Sequence, residues 1–150
     1  MANASEKTIS VLNDLIETCR DGQNGFRTAA SDVNDANLKA LFNRYSAQRG
    51  EFAADLESLV TGLGGDAETT GSVAGAAHRG WINVKSAVTG KDVASVISEA
   101  ERGEDAAKAS YQKALQEYMS AEIRAVVQKQ YSAVLEAHDT IRQLEIQTRS

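Results

Sequence analysis

The 150 residues contain no proline and carry a formal net charge of -5 with both signs interspersed, which fits one helical domain and argues against a nucleic-acid surface, since phosphate binding needs a concentrated basic face. No apolar run approaches the roughly 20 residues of a membrane-spanning helix, and MANASEKTIS has no apolar signal core behind a basic start, so the expectation is a cytoplasmic protein without membrane insertion. Cys19 is the only cysteine; this excludes an internal disulfide or a thiolate metal cluster within one chain, and core packing is the expected role of the thiol.

Apolar residues spaced by three and four predict a first helix from about Glu6 to Val33, with Ile9, Leu12, Ile16, Cys19, Phe26, Ala30 and Val33 in its stripe and Gln23 as the polar interruption. Gly22 and Gly25 lie inside it, where glycine costs about 1 kcal/mol relative to alanine, so either another helix approaches closely there or the helix kinks. Asn34 and Asp35 form a short turn, and Asp35 is placed to cap the second helix. That helix continues to about Leu63 through Leu38, Phe42, Tyr45, Phe52, Leu56 and Leu59, with Arg49 as its one charged interruption. Gly62, Gly64 and Gly65 supply the stop, and 66–71 is a polar connection.

A shorter helix is predicted from about Ser72 to Thr89, with Val73, Ala77, Trp81, Val84 and Val88 on one side; it holds Arg79 and Lys85 but no acid. His78, Arg79 and Trp81 mark it as a crossover that packs on the bundle, or alternatively as a lid or docking face. Asp92 caps the central helix, about Val93 to Met119. Its stripe of Val93, Ile97, Ala100, Glu104, Ala107, Tyr111, Ala114 and Tyr118 puts Glu104 among apolar positions, with Glu101 one turn earlier on the same side. A carboxylate held away from water is expensive without a partner, so this face must meet a cation, a metal, a donor network or trapped water. The last helix starts after the cap Ser120 and runs through Ile123, Val127, Val134, Ala137, Ile141 and Leu144, with Gln130 and His138 as polar candidates.

Placing Phe26 over Tyr111 also places Leu38 over Ile123, Leu41 over Val126, Leu56 over Ile141 and Leu59 over Leu144, at one offset of 85 residues. Two helical hairpins, about 6–63 and 93–148, joined by a long connection containing the shorter helix, make a single all-α four-helix-bundle domain with one crossover, the arrangement of ferritin-like folds. LIETCRDGQNGF, SAQRGEF, HRGW, ERGED and AHDTIRQL together resemble an uncharacterised bacterial family of ferritin-like four-helix-bundle proteins, a domain of unknown function. The resemblance spans about Ile9 to Leu144; it implies the fold and transfers no activity.

A ferritin-like di-metal centre needs one Glu on each of two helices and a Glu-x-x-His on each of the others, so that carboxylates neutralise two cations and imidazoles fix them. Counting outward from the second hairpin's turn sets Glu101 at the height of His138, but Leu135 stands where the Glu before His138 belongs, and the offset gives Ile16, Gly50 and Ala53 in the first half; two of six places are filled. Glu101, Glu104 and His138, with Gln48 or Glu51 in reserve, would suit a degenerate site for Fe, Mn or Zn. The competing expectation is an internal ion-pair and amide layer of Gln23, Arg49, Glu104 and Gln130 that sets hairpin register and needs no cofactor. The function expected is then a non-enzymatic structural, interaction or stress-associated protein that associates with itself or a protein partner. The alternatives are a metal-binding oxidoreductase or storage protein, and, from the bundle's glycines and alanines alone, a carrier for a small apolar ligand.

Overall fold

The computed structural model describes residues 4–67 and 92–149. They form four helices, α1 (Ala4–Asp32), α2 (Ala36–Gly62), α3 (Val93–Leu115) and α4 (Ala121–Arg149), and the architecture is an all-α four-helix bundle. The helix expected over 72–89, and with it His78, Arg79 and Trp81, lies outside the described residues. No described helix is long and apolar enough to cross a membrane.

Apolar burial organises the helices into two clusters stacked along the bundle. The lower one joins Leu12, Ile16 and Cys19 of α1 to Leu56 and Val60 of α2, Tyr111 and Ala114 of α3, and Ile123 and Val127 of α4. The upper one joins Phe26, Ala30 and Val33 to Phe42 and Tyr45, Val96 and Ile97, and Ala137 and Ile141. This pairing makes α1 and α4 run one way and α2 and α3 the other. Around the bundle α1 lies beside α2 and α3, α3 lies beside α4, and α2 and α4 barely touch. Helices α2 and α3 are diagonal and parallel, so the end of α2 and the start of α3 stand at opposite ends, separated by the 27-residue length of α2, roughly 40 Å at about 1.5 Å per residue.

The 85-residue offset extends from the apolar stripes to the polar punctuation. Asp35 accepts the Leu38 N–H at the start of α2, and Ser120 accepts the Ile123 N–H at the start of α4. Lys39 donates to the Ala30 carbonyl at the end of α1, and Arg124 donates to the Leu115 carbonyl at the end of α3. Each member of one set lies 85 residues from its counterpart in the other. Terminal N–H and C=O groups have no intrahelical partners, and both hairpins satisfy them at equivalent places with equivalent chemistry. The pairs Leu12 and Ile97, Leu15 and Ala100, Phe42 and Val127, and Leu56 and Ile141 obey the same offset, and all are buried.

The glycines divide by role. A Cβ at Gly22 would meet the Arg49 side chain at an ordinary 3.5 Å, whereas one at Gly50 would come within 2.7 Å of the Gln23 amide; the close approach is therefore at Gly50 on α2. At the end of α2, Gly64 has a φ of 83°, Gly65 donates to the Val60 carbonyl and Gly64 to that of Thr61, the paired bonds of a Schellman stop. Gly64→Ala is expected to destabilise the protein by about 1–2 kcal/mol through the left-handed backbone, and Gly22→Ala to be neutral or stabilising by up to about 1 kcal/mol, as read from urea midpoints.

Candidate functional site

Between the two apolar clusters lies a charged layer. Arg49 projects from α2 and Glu104 from α3, each the one charge in a stripe of apolar neighbours, and they meet across the bundle diagonal. Arg49 Nη1 donates to Glu104 Oε1 at 2.5 Å and Nη2 to Oε2 at 2.7 Å, with the residues 1% and 0% exposed. The fork of the guanidinium matches both carboxylate oxygens. Arg49 Nε reaches the Gln48 side chain at 3.3 Å, and the guanidinium lies 5.4 Å from the centre of the Phe26 ring, a cation–π contact. Burial opposes the Arg49 charge, but the charge and hydrogen bonds of Glu104 outweigh it and hold the guanidinium above its ordinary pKa.

A second chain of polar contacts runs below this pair and ties all four helices together. Tyr111 donates to Gln130 Oε1 at 2.7 Å, Gln130 Nε2 donates to the Phe52 carbonyl at 3.3 Å, and Cys19 Sγ lies 3.1 Å from the Tyr111 oxygen. With the phenol proton committed to Gln130, the thiol is the donor in the last contact. Burial pushes the Cys19 thiol up to about 11, against the lowering effects of the Tyr111 hydrogen bond and the Arg49 charge. Burial, then the neighbouring Cys19, raises Tyr111 well above its usual value. A protonated, enclosed thiol is a packing group and not a nucleophile. Gln23 stands apart from both contacts: it is half-buried at the α1–α2 seam and accepts from Arg20 Nη1 at 2.9 Å.

The α3–α4 seam holds a third group. His138 Nε2 is 2.5 Å from Asp105 Oδ1, so the proton sits on Nε2, because a carboxylate only accepts. Glu101 lies beside Glu145, which also accepts from Ser98 at 2.8 Å. Burial raises the Glu101 pKa first, followed by its hydrogen bond to Glu145 and the charges of Glu145 and Asp105, with Arg142 acting the other way. His138 therefore faces Asp105, not Glu101 as a level count along the two helices suggests. The Cα–Cβ bonds of a helix tilt toward its N-terminus, so on antiparallel helices the tips of facing side chains converge on a partner about one turn beyond the residue at equal height.

Glu101, Glu104 and His138 are thus not brought together: Glu104 is held by Arg49, His138 by Asp105, and Glu101 stands with Glu145. Of the places a ferritin-like donor set would use, Ile16 and Ala53 are fully buried apolar residues and Leu135 and Gly50 have no donor side chain, so the residues do not fit that set. Among the described residues, no three His, Cys, Asp or Glu side chains are grouped to hold a metal ion. Asp105, Tyr111 and Glu145 are the partners missed in the sequence. A tyrosine hydroxyl on a core stripe, which needs a buried acceptor, was the available signal for Tyr111.

The chain belongs to the family described as Domain of unknown function (DUF2383), which matches residues 7–117. The match takes in α1, α2 and α3, and with them both partners of the central ion pair; Gln130 and His138 lie beyond it. No curated protein matches the chain.

Arg49→Ala is expected to destabilise by about 3–5 kcal/mol, because it strands a buried carboxylate, and Arg49→Met with Glu104→Leu to recover most of that loss; equal losses in single and double variants, read by urea unfolding, would refute the coupling. Glu101 makes a prediction of opposite sign. Its folded pKa lies above the ordinary glutamate value of 4.5, so its contribution to stability is present below that value and lost as pH rises through the raised one. Glu101→Gln is expected to raise the urea midpoint at neutral pH and leave it nearly unchanged near about pH 4. If wild type and variant differ equally at both pH values, the assignment fails.

Proposed function

We propose, for a member of a family that brings no assigned activity, that this bundle is a ferritin-like scaffold acting as a non-enzymatic structural or interaction protein, with stress association among its settings. The observation that carries the reading is the Arg49 guanidinium in the bundle centre, bound through both forks to Glu104. A carboxylate in that position is the natural inner ligand of a metal-binding bundle, and here a permanent cation already neutralises it and disfavours a second cation beside it. Burial of the Cys19 thiol and Tyr111 phenol, each hydrogen-bonded and each with its pKa raised, supports the same reading, because neither supplies a nucleophile or base near neutral pH.

A second reading retains Glu101 and His138 as ligands of a single Fe, Mn or Zn ion. It is favoured by two buried atoms without a hydrogen-bond partner, Glu101 Oε2 and His138 Nδ1, on facing sides of the α3–α4 seam. Imidazole nitrogen and carboxylate oxygen suit those metals, and binding would have to draw the two side chains away from Glu145 and Asp105.

Metal analysis separates the two. Protein purified after growth with added iron, manganese or zinc is expected to retain less than about a tenth of an equivalent, with no metal-induced rise in melting temperature. Stoichiometric metal that disappears in a Glu101→Ala, His138→Ala double variant would replace the first reading with the second.

A further inference from the structure

Each hairpin is tied within itself by bonds of its own. In the first, Arg20 on α1 donates to both carboxylate oxygens of Glu57 on α2, at 3.2 and 3.1 Å, and Ser46 donates to the Gln23 carbonyl at 2.8 Å. In the second, Ser98 donates to Glu145, His138 meets Asp105 and Gln112 donates to Tyr131 at 2.9 Å. With its capped reversal, each half is closed on itself and turns one apolar face to the other.

The bonds between the halves are of another kind. They run from Arg49 to Glu104, from Cys19 to Tyr111 and from Gln130 to the Phe52 carbonyl, within the two shared apolar clusters. Of the two seams between hairpins, α1–α3 is close and α2–α4 barely approaches. None of these contacts depends on the two hairpins belonging to one molecule. Residues 63–92 join them, and a chain of that length reaches at most roughly 100 Å. The end of α2 and the start of α3 lie roughly 40 Å apart, so covalent geometry does not confine the second hairpin to its own bundle.

We propose that the core-facing side of each hairpin is an interaction surface for a second copy of this chain: two molecules exchange second hairpins, and Arg49 of one copy pairs with Glu104 of the other in each of two intact bundles. Every buried contact is kept, so the cost is that of association alone, and reciprocal exchange closes a two-fold dimer. The partner in the interaction reading is then the chain itself. The exchange rests on that reading for its role; metal content tests the reading, and refolding of mixed chains tests the exchange.

Wild-type protein refolded from urea at rising concentration is expected to yield, beside monomer, a dimer that survives dilution, because its halves part only when both cores open. Arg49→Glu places two carboxylates in the centre of its own bundle and Glu104→Arg two guanidinium groups, so each variant alone is expected to lose its cooperative urea transition. Refolded together, the two variants are expected to form a one-to-one dimer. One of its bundles regains the native pair, which restores a cooperative transition at the wild-type midpoint. A wild type that stays monomeric up to millimolar concentration overturns the exchange. So does a mixture that behaves as the sum of its parts, and any wild-type dimer then belongs to the outer faces. Variants that each fold alone as well as wild type overturn the role of the pair in choosing the partner hairpin, and the proposal with it.

Discussion

The bond between Arg49 and Glu104 is the constraint on which the rest of the bundle depends. It joins α2 to α3, two helices with no close backbone approach, and its reach across the centre fixes how the two hairpins are set along and around one another. Apolar side chains alone tolerate sliding, since one buried leucine resembles the next; a fork of two directed hydrogen bonds between full charges does not. The layer also divides the interior, so that the lower and upper apolar clusters pack as separate units above and below a level whose alternatives are all costly. Net stability is a poor measure of such a pair, because desolvation of both ions offsets most of their attraction. Its effect is on which arrangement is chosen.

Secondary structure and bundle architecture were legible because the apolar spacing of three and four is unbroken over long stretches and the caps Asp35, Asp92 and Ser120 stand immediately before the first residues of α2, α3 and α4. The long helices differ from the sequence reading chiefly at their ends: the central helix stops at Leu115, short of Met119, as Arg124 takes up carbonyls at its C-terminus. Arg49 and Glu104 could be singled out by the same means, each being an isolated charge on an apolar stripe. The seam between α3 and α4 was less legible. Spacing along a helix gives the height of a Cα atom, whereas contacts are made by side-chain tips, and the N-terminal tilt of both rows moves them apart in register. His138 consequently meets Asp105, and Glu101 meets Glu145. Gln23 shows the same weakness of one-dimensional reading: an interrupted stripe marks a polar group at its edge as readily as one in its centre.

The internal repeat adds a level of order that apolar matching alone could not establish. Equivalent caps and equivalent cationic donors to helix-end carbonyls, all at the same offset, indicate that the two hairpins share a local solution for their reversals. Their centres have diverged. Under the offset, Cys19 corresponds to Glu104 and Arg49 to Val134, so the ion pair of one diagonal corresponds to a thiol and a valine on the other. The outer ends of the hairpins are thus alike, and the middle is where the halves differ.

That difference acts as a rule of self-recognition. Two first hairpins packed on each other would bury two guanidinium groups opposite thiols, and two second hairpins would bury two carboxylates opposite valines; each stranded ion would cost several kcal/mol. Only the unlike combination leaves no uncompensated charge. Halves that share one apolar pattern are prone to pair with copies of themselves while the chain folds, when many molecules expose the same apolar faces. The buried pair makes like-with-like assembly electrostatically costly, in the manner of a heterodimeric zipper, and that cost does not fall on one kind of exchange, in which the first half of one molecule takes the second half of another.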